Sequence, residues 1–174
     1  MPHFEDFDFS TFWCDSERAA QAYTDVPCTP DFVEAVEDDL GYRLPAAYVA
    51  LAALHNGGMP VKTVHRTSVP TTWASDHVAI HGIFSIGTRK RWSLSGDTGS
   101  QFFIEEWGYP PIGVYFADCP SAGHDMLCLD YRACGPQGEP VVVHVDQERD
   151  FAITFVAPDF ESFIRGLQDE EDFL

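Results

Sequence analysis

Residues 112–131 read IGVYFADCPSAGHDMLCLDY, two apolar runs around a short polar break. Ile112 to Ala117 is rich in β-branched and aromatic residues, the composition of a strand. Met126 to Tyr131 alternates, with Met126, Cys128 and Asp130 on one face and Leu127, Leu129 and Tyr131 on the other. Between them Pro120 presets φ for a turn, and Gly123 can take a positive φ. The stretch therefore predicts an antiparallel hairpin with a medium-length loop. Its polar residues gather at the loop end: Asp118 closes the first strand, and His124 and Asp125 lead into the second.

On the N-terminal side of the hairpin the period is helical. Thr29-Pro30-Asp31 is a helix start, with Phe32, Val36 and Leu40 recurring every fourth residue up to Gly41. A second helix begins around Pro45, carries Tyr48, Leu51, Ala52 and His55 on one stripe, and stops at Asn56-Gly57-Gly58. Ser16 to Tyr23 suits a short helix capped by Ser16, within an arm whose Phe4, Phe7, Phe9, Phe12 and Trp13 should anchor it to the core. Val78 to Ile83 and Phe84 to Ile86 read as strand, 62–76 and 87–100 as loops, and Phe102 to Trp107 as a further strand. Val141 to Val145 and Phe151 to Val156 alternate as strands. Pro158 and Asp159 open a closing helix bearing Phe160, Phe163, Ile164 and Leu167. The order predicts an α+β fold: a single domain with a central, mostly antiparallel sheet, packed N-terminal helices and a C-terminal helix. Expected boundaries are an aromatic and acidic arm over 1–28, the domain proper over 29–168, and a mobile acidic tail over 169–174.

Composition narrows the function. Hydrophobic residues make up 45% of 174, enough for a packed core. The net charge of −18 disfavours phosphate backbones and suits a basic partner. Met1-Pro2-His3-Phe4-Glu5-Asp6 is acidic where a secretion signal is basic, so a cytoplasmic location is expected. No apolar run is long enough for a membrane span. Five cysteines with no Cys-x-x-Cys pair read as free thiols.

The chemistry-bearing residues do not assemble into a catalytic motif. Asp118, His124, Asp125 and Asp130 could serve acid–base or metal chemistry, but such Asp side chains commonly bond loop amides. His77 and His81 have zinc-pair spacing on a helix, yet Val78-Ala79-Ile80 looks extended and sets them about 13 Å apart. His144 reads as a sheet-face histidine. Arg89-Lys90-Arg91-Trp92 reads as a solvated turn with Trp92 under an arginine. Cys119 near His124 nominates no third partner for a nucleophile. No phosphate-binding loop or nucleophile elbow occurs. Neither metal nor cofactor is expected.

Leu44-Pro45-Ala46-Ala47-Tyr48 followed by Asn56-Gly57-Gly58 resembles the helix and turn of the SUKH superfamily, the Smi/Knr-like proteins. The run from Ile112 to Asp118, Gly123-His124-Asp125 and Leu129-Asp130-Tyr131 resembles that family's central hairpin. Gly138-Glu139-Pro140 before the next strand, and the helix Phe160-Glu161-Ser162-Phe163-Ile164, extend the likeness over roughly 29–168. The resemblance implies helices packed on a central sheet, a structural role for Asn56, Gly57, Gly58, Gly123, Asp130 and Tyr131, and no shared catalytic residues. It implies a bacterial immunity protein that occludes a cognate polymorphic toxin, basic and of nuclease or deaminase type. The alternative is a regulatory protein-binding scaffold, as among fungal members. Candidate partner contacts are Asp31, Glu34 and Asp38 on the first long helix, and Asp118, His124, Asp125 and Glu148 around the hairpin. The oligomeric state is left open.

Overall fold

A computed structural model describes residues 2–173. Met1 and Leu174, the outer ends of the expected arm and tail, lie outside the described residues. The central hairpin is formed by β4 (Gly113–Asp118) and β5 (Asp125–Asp130), paired antiparallel from Gly113 opposite Asp130 to Asp118 opposite Met126. A bulge falls between Tyr115 and Ala117, so Phe116 is the extra residue. The loop turns through Ala122 and Gly123, at φ +56° and +93°. A Cβ on Gly123 would come within 3.1 Å of the Trp107 ring, so space as well as φ favours glycine there.

The hairpin is the middle of a five-stranded antiparallel meander. Its order is β3 (Gly82–Ile83), β4, β5, β6 (Val141–Asp146) and β7 (Ala152–Ala157). A second, two-stranded sheet pairs β1 (Val64–Arg66) with β2 (His77–Ala79). With five α-helices among the described residues, the architecture is α+β.

The helices start and stop where local chemistry dictates. In α1 (Glu17–Ala22) the Ser16 side chain accepts from the Ala19 N–H. In α2 (Pro30–Leu40) Thr29 caps, proline takes the first position, and Gly41 ends the helix at φ +81°. α3 (Ala46–Leu54) buries Ala47, Tyr48, Leu51 and Ala52. Asp159 caps α5 (Phe160–Arg165) by accepting from Ser162 N–H at 2.7 Å.

Aromatic contacts join these layers. Phe116 meets Tyr48 of α3 and Phe160 and Phe163 of α5 edge-on, at 5.5 to 6.0 Å between centroids, while Tyr48 stacks on Phe160 at 4.5 Å. Tyr115 packs instead against Tyr109. The arm is anchored as its composition suggests: Phe4 and Phe12 are buried, and Trp13 stacks on His55.

Three expectations need correction. Phe102 to Trp107 does not form a strand; α4 (Ser100–Glu105) occupies this stretch. A short apolar run carries no period that separates helix from strand, and here Ser100 Oγ accepts from Tyr115 N–H, fixing the helix start against the sheet. The stretch 62–76, read as loop, contains β1, whose Val64 also exchanges backbone bonds with Gln168. The strand expected over Val78 to Ile83 and Phe84 to Ile86 is divided: β2 and β3 lie in different sheets, and Phe84 to Ile86 carries only an isolated bridge at Ser85. In the acidic tail a 3-10 turn covers Glu170–Phe173, and Phe173 packs on His77 beneath Arg66.

Candidate partner-binding surface

Two groups of carboxylates were candidates for partner contact, and their surroundings differ. On α2 only Val36 is buried. Asp31, Glu34, Asp38 and Asp39 are exposed, and so is Phe32. This is a helix that presents negative charge and one aromatic ring to solvent. At its base a groove of about 260 Å³ runs between Phe32, Ala35 and Val36 on one side and Gly87, Thr88 and Arg89 on the other.

The hairpin carboxylates mostly face inward. Asp118 is buried, accepts from Tyr23 Oη at 2.7 Å and has His81 Nδ1 at 3.6 Å. Asp125 is buried and bonds His144 Nε2 at 2.7 Å, while its own backbone N–H donates to Ser121 Oγ. Burial opposes charge on Asp125, but His144 and Ser121 outweigh it and hold the carboxyl below its usual range. Asp118 and Asp125 therefore bond the side chains of Tyr23 and His144 rather than the loop amides expected of them, and they do not offer a surface. His124 and Glu148 are exposed and meet each other at 2.6 Å, with the Trp107 ring beside the imidazole. The groove at α2 and the cleft at the hairpin loop share no lining residue.

The other sequence candidates resolve into structure. Asn56 is buried. Its side-chain amide donates to the carbonyls of Val26 and Ile86, and its Oδ1 accepts from Ile86 N–H. Asp130 is gripped by Arg132, and Tyr131 Oη donates to the Arg43 carbonyl at 2.6 Å. His77 pairs with Asp76, whereas His81 lies beside Asp118, so they do not converge. Cys119 is buried, and burial pushes its thiol well above the usual range, the opposite of an activated nucleophile. Within the basic run Arg89 pairs with Asp25, Lys90 donates to the Ala20 carbonyl, and Arg91 lies over Trp92. A cleft of about 380 Å³ is lined by Arg18, His81, Arg91, Trp92, Asp118 and Cys119, among others.

Sequence reasoning missed two features. Phe32 was assigned to the buried face of its helix, but the helix is so peripheral that Phe32 remains 36% exposed. The convergence of Cys119, Asp125 and His144 depends on β5–β6 pairing and leaves no local pattern.

This assembly, helices packed on a central sheet with a hairpin at its middle, an Asn-Gly-Gly stop after α3 and a closing helix, is what the resemblance implied. Residues 27–166 match the SMI1 / KNR4 family (SUKH-1). The chain belongs to that family. As a SUKH-1 domain it falls in a generally non-catalytic binding family, whose members are often immunity proteins. No curated protein matches the chain. No helix of this SUKH-1 chain is long and apolar enough to cross a membrane among the described residues.

Proposed function

We propose that this SUKH-1 protein is an immunity protein, not an enzyme, that binds a cognate polymorphic toxin in the cytoplasm and covers its active surface. The observation that carries this reading is α2. A helix within the family match buries one residue and exposes a row of carboxylates around Phe32. Such a face attracts a basic protein through its field, and an exposed aromatic beside an apolar groove supplies the central anchor. Toxins that act on nucleic acid carry the basic surface this requires, because their substrate is a polyanion. The docked domain loses access to its substrate by occlusion. Co-expression tests this. The toxin domain encoded beside this gene should arrest growth alone and not when this protein is present. Failure to protect would leave regulatory scaffolding as the surviving role.

A further inference from the structure

Three buried side chains, from the start of the loop, from β5 and from β6, converge behind the hairpin loop. Cys119, Asp125 and His144 present Sγ, a carboxylate oxygen and an imidazole nitrogen within 4.8 Å of one another. Their exposures are 1%, 6% and 1%. Strand pairing adds a further charge, since Asp125 lies directly opposite Asp146, which is also buried. Like charges facing each other across a sheet repel, and burial deprives both of water. Among the described residues His144 is the only basic side chain paired with either carboxylate. Polar atoms are left over as well. Asp125 Oδ1, His144 Nδ1 and Asp146 Oδ2 are buried without a hydrogen-bond partner. A hydrogen-bonded polar core leaves few such atoms, and several in one place mark a position that a water or a cation fills.

We propose that Cys119, Asp125 and His144 bind one divalent cation of the zinc class. Thiolate, imidazole and carboxylate are the donor types zinc takes, and three protein ligands leave a fourth position for water. Tetrahedral ligation at about 2.0–2.3 Å sets donor atoms roughly 3.3–3.7 Å apart. To hold the ion the His144–Asp125 pair opens from 2.7 Å, and Cys119, at the start of the loop, completes the donor set. Binding releases the Cys119 thiol proton to solvent, the His144 proton that Nε2 shares with Asp125 passes by solvent exchange to the unpartnered Nδ1, and the His144–Asp125 hydrogen bond is replaced by bonds to the metal. Thiolate and carboxylate then balance the two positive charges. The cation joins the end of β4, the start of β5 and the middle of β6, so it stabilises the hairpin independently of any partner.

The test uses the full chain with the exposed Cys14 and Cys134 changed to serine, so that Cys119 and the buried Cys28 and Cys128 are the remaining thiols. Zinc and cobalt(II) are added separately. One zinc per chain should be retained through gel filtration, and cobalt should give a thiolate charge-transfer band. At a hundredfold excess over Kd, zinc should raise Tm by about 5–10 °C. Cys119→Ser and Asp125→Asn should each abolish the band and the shift. If those variants do not fold, the band in the parent protein still decides. Absence of bound zinc, an unmoved Tm, or a cobalt spectrum without a thiolate band would overturn the proposal in favour of a metal-free hydrogen-bonded core.

Discussion

Tyr23 donates its hydroxyl to the carboxylate of Asp118, 2.7 Å away, and both groups are buried. Tyr23 precedes the stretch that matches the family, whereas Asp118 closes the first strand of the central hairpin. The ring also fills the space where a side chain on Gly82 would lie and stacks toward Trp92. The segment before the family match is thus built into the core at the hairpin's loop end. Tyr23→Phe keeps the ring and removes the donor, leaving the carboxylate short of a partner. It should cost about 1.5–3 kcal/mol. A lower urea midpoint at unchanged slope would show this, and an unmoved midpoint would mean that water replaces the hydroxyl.

Acid should weaken the protein through two paired carboxylates. Burial alone would raise the Asp25 carboxyl, but the Arg89 guanidinium and the Val26 N–H reverse this and lower it. Asp130 is likewise lowered against burial, by Arg132. A carboxyl lowered in the folded state leaves the unfolded chain binding more protons. Its stabilisation is present above the ordinary Asp value of about 3.9 and is lost as pH falls through the folded value. Stability measured from pH 5 downward should fall, and Asp25→Asn should flatten that slope. An unchanged slope would remove Asp25 from the account.

Gly57 has no room for a methyl group. Its φ is +82°, and a Cβ there would lie 2.7 Å from the Ser85 backbone nitrogen and 2.8 Å from the Tyr23 carbonyl oxygen. Both are backbone atoms that cannot rotate away. Gly57→Ala should therefore destabilise by more than about 1 kcal/mol. Gly41→Ala is the comparison, since that glycine also has a positive φ but open space around it. Equal losses in the two variants would show that φ alone matters.

Much of this architecture is legible along the chain because it rests on local rules. Thr29-Pro30 and Gly41 mark the ends of α2, and the alternation in Met126 to Tyr131 marks β5. Phe102-Phe103-Ile104 is not legible, because the tie from Ser100 Oγ to Tyr115 N–H comes from elsewhere in the chain. The candidate surface divides in the same way. Charge on α2 follows from composition and period, so Asp31, Glu34 and Asp38 are exposed as the helix period implies. Whether a hairpin aspartate faces outward depends on what packs over it. Tyr23 covers Asp118 and His144 meets Asp125, contacts spanning 95 and 19 residues.

Reversing the charge of α2 should leave the fold intact. Asp31, Glu34 and Asp38 form no ion pair among the described residues, so Asp31→Lys, Glu34→Lys and Asp38→Lys together should change stability little. Each exposed substitution is typically within about 0.5 kcal/mol. A thermal melt that collapses would show that these carboxylates serve the fold.

The central claim is that α2 steers and docks a basic toxin. The direct measurement is the association of the purified protein with the toxin domain encoded beside its gene, at rising salt, for the parent and the α2 triple variant. Steering fields are screened over about 10 Å at 0.1 M salt. The parent should form a one-to-one complex whose association rate falls steeply with salt while dissociation changes less, and the triple variant should lose most of that rate at low salt. No complex at micromolar concentrations, or a triple variant that binds like the parent, would contradict the account.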